Sequence, residues 1–142
     1  MRTIEDAAFG ARLRAVVDRI IPADSDPGAL DLGTDAFVLA ALAGDAAALL
    51  PQIATGLTSL DAEAQRRHGV AFAALPPQFR DELLGEIEQA PWFVALAELT
   101  AEGFYADPAN GGNRDARSWA MIGYEHRLPD GPSGRLDPAK VR

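Results

Sequence analysis

Two histidines, His68 and His126, are the side chains of this 142-residue chain best suited to move a proton near neutral pH. His68 follows Arg66 and Arg67 near a helix end, where cations complement the last carbonyls, and no partner nucleophile stands near it in sequence. His126 adjoins Glu125, without the further ligands that a metal site needs at helical or loop spacing. Carboxylates recur at i, i+4 as Glu82/Glu86 and Glu98/Glu102, but a di-iron bundle also requires a Glu-x-x-His motif, and none occurs. Solvated helix faces account for these pairs. Asp24, Asp26, Gly28 and Asp31 resemble a calcium loop only in part. The glycine falls one place early, Pro27 intervenes, and no closing glutamate follows, so a turn leading into a helix cap is expected. Cysteine is absent, which excludes disulfides, iron–sulfur clusters, thiolate zinc sites and cysteine nucleophiles. No Gly-x-Gly-x-x-Gly, P-loop or Gly-x-Ser-x-Gly motif occurs, and Gly111-Gly112 has no strand before it to make a phosphate cradle. The residues offer no catalytic constellation, cofactor cradle or metal site.

Composition points to a folded domain: 48% apolar and 24% charged residues are average for a globular protein. The formal charge of -8 opposes nucleic-acid binding, which rests on a basic surface, and opposes docking on anionic lipid. No apolar run approaches the roughly 20 residues of a membrane span, so no direct membrane insertion is expected. The start, Met1-Arg2-Thr3-Ile4-Glu5-Asp6, turns polar at once and carries neither a signal-peptide core nor twin arginines. The chain as written is expected to be cytoplasmic, or periplasmic if an export signal has been removed or if it leaves the cell with a partner.

The elements that must position any site are helices. Phe9, Leu13, Val16, Val17, Ile20 and Ile21 recur at helical spacing, with Arg12, Arg14, Asp18 and Arg19 opposite, and Pro22 ends the run. Thr34 or Asp35 is expected to cap a short helix through Leu42, closed by Gly44. A longer helix carries the stripe Leu49, Leu50, Ile53, Leu57 and Leu60. Asp45 could cap it, Pro51 predicts a kink or restart, and Gly69 is its stop. Leu75-Pro76-Pro77 opens the next helix, with Phe79, Leu83, Leu84 and Ile87 inward. Pro91 starts another, through Tyr105, whose wide apolar stripe predicts the central helix. The expected fold is all-α: a single compact helical domain (1–126) with an extended C-terminal tail (127–142) of Pro, Gly and polar residues.

The stretch from Gly103 to Tyr124 differs from the alanine-rich helices around it. Asp107-Pro108 sets a turn, Gly111-Gly112 permits positive φ, and Asn113 can cap a helix bearing Trp119 and Ile122 on one side. Trp119 and Tyr124 stand beside Arg114 and Arg117, the composition of interface anchors. The same aromatics could instead plug the domain's own core, and residue types alone do not separate the two roles.

The pattern Tyr-x-Asp-Pro-x-x-Gly-Gly-Asn-Arg-Asp from Tyr105 to Asp115, followed by Trp119 and Ile122-Gly123-Tyr124, resembles the C-terminal signature of the gluconate 2-dehydrogenase subunit 3 family. Further similarities are Ile20-Ile21-Pro22-Ala23-Asp24, Pro27-Gly28-Ala29, Gly56-Leu57, Leu60-Asp61, and Phe72 before Leu75, so the likeness covers about residues 13–124. It implies an accessory role. Such chains are small, or gamma, subunits of membrane-associated flavin-dependent dehydrogenases for sugars, sugar acids and polyols. The large subunit is a GMC-type flavoprotein that carries FAD and the catalytic base, and a cytochrome c often takes the electrons. The small subunit holds no cofactor and serves folding, stability or export of the large one.

On that reading Tyr105, Asn113, Arg114, Asp115, Trp119, Tyr124 and the tail from Arg127 form the partner-binding region. The chain departs from its family in lacking a twin-arginine signal and any cysteine for an intersubunit disulfide. Rival expectations are a transient chaperone or export escort for the flavoprotein, a free-standing enzyme using Glu98 or Asp115 as base, and a homo-oligomer that buries the aromatic patch against itself.

Overall fold

Asp6 opens the first helix by accepting the Ala8 amide on Oδ1 at 2.9 Å. The computed structural model describes residues 6–106, in which five α-helices are joined by loops and short 3₁₀ turns, with no strand among the described residues. They are α1 (Ala7–Ile20), α2 (Thr34–Ala43), α3 (Leu50–His68), α4 (Pro77–Glu86) and α5 (Pro91–Phe104). The all-α expectation holds. The proposed boundary at residue 126 and the tail beyond it lie outside the described residues.

Helix α1 turns its apolar stripe inward. Leu13, Val16 and Val17 are fully buried and Phe9 nearly so, and α1 packs against α2, α3, α4 and α5 as well as the Phe72–Ala74 turn. The sequence points to α5 as the central helix, and α5 does make the densest packing, against α2 and α3, while α1 touches more elements. Helix α5 packs against α1, α2 and α3, but its Val94 is 40% exposed and Glu98 faces solvent. The extra apolar residues that widen its stripe are not all in the core.

Helix α2 begins differently from expectation. Gly33 holds the N-cap position at φ 75 in the left-handed region, and no side chain caps the helix. The Thr34 amide already donates to the Ala29 carbonyl at 3.0 Å, while its side chain is fully buried with Oγ1 unpaired. Asp35 lies in the first turn, where its charge suits the helix dipole. The restart predicted at Pro51 is present: a 3₁₀ turn at Ala47–Leu49 ends, and α3 begins with the proline in its first turn, where a missing N–H costs nothing. The stretch Ala47–His68 leaves α2 at 92°.

Polar clamps hold the ends of the bundle. Asp61 accepts the Phe72 amide at 2.9 Å and meets Arg12 of α1 at 3.5 Å, so one carboxylate joins α1, α3 and the turn between α3 and α4. Arg19 makes a two-pronged pair with Asp81 at 2.7 and 2.9 Å, tying α1 to α4. Arg80 donates to the Leu75 and Ala15 carbonyls at 3.1 and 3.4 Å.

Two close approaches seat α5. The Trp92 indole lies on the Gly56 backbone of α3, and the Phe37 ring of α2 lies against Gly103. A Cβ at Gly103 would come within 2.6 Å of that ring, and one at Gly56 would overlap the indole. Gly56→Ala therefore has to displace Trp92, and is expected to destabilise the chain by about 1–3 kcal/mol. Urea unfolding checks this; an unchanged midpoint would mean that the indole shifts without cost.

Candidate functional site

Side chains that could run chemistry are scattered over the described surface. His68 is the last residue of α3 and exposed, with its ring 4.9 Å from that of Phe79. Glu98 and Glu102 project from α5 into solvent, and Glu82 is exposed on α4. A general base benefits from a desolvated cleft, and these carboxylates stand in solvent instead. The aspartates after α1 close turns instead: Asp24 accepts the Asp26 amide at 2.8 Å, and Asp31 accepts the Gly28 amide at 2.9 Å. Among the described residues no three His, Asp or Glu side chains converge as metal ligands would.

The strongest electrostatics are structural. Arg67 reaches from α3 to Glu86 at the end of α4, at 2.6 and 2.7 Å, and also meets Glu63, which Arg66 grips at 2.7 and 2.9 Å. Hydrogen bonds from Arg66, and secondarily from Arg67, hold the Glu63 carboxyl down at about 2. Arg67 lowers Glu86 in the same way, and Arg19 lowers Asp81. The Arg67–Glu86 and Arg19–Asp81 pairs join helices, while Glu63 is paired within α3.

The geometry of interest gathers at the C-terminal end of α5. Phe104 is 1% exposed and Tyr105 is 48% exposed, so consecutive aromatics point in opposite senses, with rings edge-to-face at 4.9 Å. The chain runs from Tyr105 toward Asn113, Arg114, Asp115, Trp119, Tyr124 and Arg127, all of which lie outside the described residues. Of the expected partner-binding residues, the structure places Tyr105 alone. One turn earlier, Leu99 and Glu102 form a wall of a groove of about 820 Å³. Its other walls are Phe37, Ala40 and Ala41 of α2 and Ala48 and Leu49 of the turn before α3. Sequence reasoning missed this groove, because alanines on an apparently ordinary short helix read as filler. The available signal was that several of them, Ala40 and Ala48 included, stand at exposed positions where a charged residue is the usual choice.

Residues 9–125 match the family described as Gluconate 2-dehydrogenase subunit 3. The chain belongs to that family. It matches no curated protein and no solved structure. As a gluconate 2-dehydrogenase subunit 3 homologue it is a member of a family of dehydrogenase subunits, whose name implies a complex of more than one chain. The match spans both the described helices and the Asn113–Tyr124 segment, as the resemblance in sequence implied. No helix among the described residues is by itself long and apolar enough to cross a membrane.

The carboxylate–arginine pairs set the acid response of this scaffold. A lowered carboxyl pKa stabilises the fold above its ordinary value, here 4.5 for Glu63, and that contribution is lost as pH falls toward about 2. The melting temperature is therefore expected to fall between about pH 4.5 and pH 2, and Arg67→Met should flatten part of that fall. The effect is small, because the pairs face solvent. An identical pH profile for Arg67→Met would show that the bridge contributes nothing.

Proposed function

We propose that this chain is a non-catalytic small subunit that binds and stabilises, or helps mature, a FAD-dependent GMC-type dehydrogenase of sugars, sugar acids or polyols. The observation that carries the reading is the family match over residues 9–125, in a chain whose described carboxylates, Asp6 and Asp35 apart, are exposed or engaged in ion pairs. FAD and the catalytic base then reside in the large subunit, and a cytochrome c is a further candidate partner. The small subunit supplies surface. Exposed Tyr105 leads into the segment bearing Asn113, Arg114, Asp115, Trp119 and Tyr124, and the residues from Arg127 extend the contact. In this arrangement Trp119 fills a pocket of the flavoprotein and Arg114 pairs with a carboxylate or carbonyl there, the roles that tryptophan and arginine favour at interface centres.

Trp119→Ala is expected to weaken the complex by at least about 2 kcal/mol while the free chain melts at its original temperature. Binding measured with the purified flavoprotein, beside a thermal melt of the free variant, checks both halves. Unfolding of the free variant would place Trp119 in the domain's own core and contradict its role as an anchor.

A further inference from the structure

From residue 36 to residue 60, the elbow formed by α2 and the first half of α3, the chain holds a single charged residue, Asp45, although 24% of all its residues are charged. The elbow is not charge-free because it is buried. Ala36, Ala40, Ala43, Gly44, Ala47, Ala48, Gln52, Thr55 and Thr58 are all exposed. Exposed helix positions are ordinarily filled by charged side chains, and depletion of charge with small side chains is what the centre of a protein interface looks like. Small residues also let a second backbone approach closely. The groove of about 820 Å³ runs along the α2 side of this elbow, between α2, the turn before α3, and Leu99 and Glu102 of α5. That volume accommodates large side chains of another polypeptide.

Charge narrows the occupant. Asp45 and Glu102 line the groove, and no Lys, Arg or His occurs between Ile20 and Gln65 or between Asp81 and Ala106. A lipid surface is disfavoured, because binding at a bilayer interface draws on Lys and Arg along the polar face. A symmetric contact with a second copy would set these carboxylates near their own equivalents. Glu102 of the groove also lies within one turn of Tyr105, the described residue of the region proposed above to meet the flavoprotein.

We infer that the α2–α3 elbow is a second docking surface for the large dehydrogenase subunit, receiving a segment that inserts an apolar side chain between Ala40, Ala48 and Leu99 and sets a Lys or Arg against Asp45 and Glu102. The inference rests on the small-subunit reading. The complex is thereby held at two adjoining places, by the elbow and by the residues after Tyr105.

The test titrates the purified FAD-containing large subunit from the same host against full-length chain carrying Ala40→Glu with Ala48→Glu, Asp45→Lys alone, or Gln78→Glu on exposed α4 as control. The double variant is expected to bind at least about tenfold more weakly, with the free chain melting as wild type. Asp45→Lys should also bind more weakly, most clearly at low salt. Gln78→Glu should bind as wild type. Should the double variant lose the fold, Asp45→Lys decides, because it alters only an exposed turn residue. Wild-type affinity in both variants overturns the elbow assignment and leaves the small-subunit reading standing, whereas a wild-type chain that binds no flavoprotein removes both. Intact binding with a lowered melting temperature gives the groove to the chain's own C-terminal residues. Flotation with phosphatidylcholine vesicles that the double variant abolishes gives it to lipid. Either result overturns the inference.

Discussion

The described fold depends on the burial of one helical stripe. Phe9, Leu13, Val16 and Val17 of α1 lose nearly all contact with water, and every other helix is built against them. Fully burying a side chain of this kind contributes about 1.5–3 kcal/mol, so four on one face outweigh any of the solvent-facing ion pairs. The stripe also dictates where charge can go. Arg12 and Arg19 leave α1 at its flanks, where Asp61 and Asp81 meet them and fix α3 and α4 in place. With those two helices set, α5 has one remaining seat, on Gly56 through Trp92 and against Phe37 through Gly103.

That seat also shapes the described surface. Helix α5 carries Leu99 and Glu102 into the wall of the groove and ends with Phe104 in the core and Tyr105 outside it. Here the groove is lined by alanine, leucine and phenylalanine, and the carboxylates at it are exposed. This lining is the surface on which the proposed docking rests.

Much of this was legible in the sequence, for identifiable reasons. The period of Leu13, Val16 and Val17, the stop at Gly69 and the restart at Pro51 act within a few residues, and local chemistry decides them. The cap of α2 was misread because Thr34 and Asp35 are both good capping types. Which residue serves depends on the backbone path from Ala29 through Gly33, a feature no residue type announces. The sharing of the centre between α1 and α5 was hidden for a related reason. A wide apolar stripe on α5 says how much surface could be buried, and only the packing of α1 against four helices says how much is. The groove was invisible because its walls come from α2, the turn before α3, and α5, stretches that meet only in the fold.

The account stands most directly on one measurement, capture of the tagged chain from its own host, with partners identified by mass spectrometry and the eluate read for flavin absorbance. A stoichiometric, yellow GMC-type flavoprotein is the predicted result. A colourless eluate holding this chain alone, from cells that express such a flavoprotein, would contradict the claim that the chain works as a stable subunit of that enzyme.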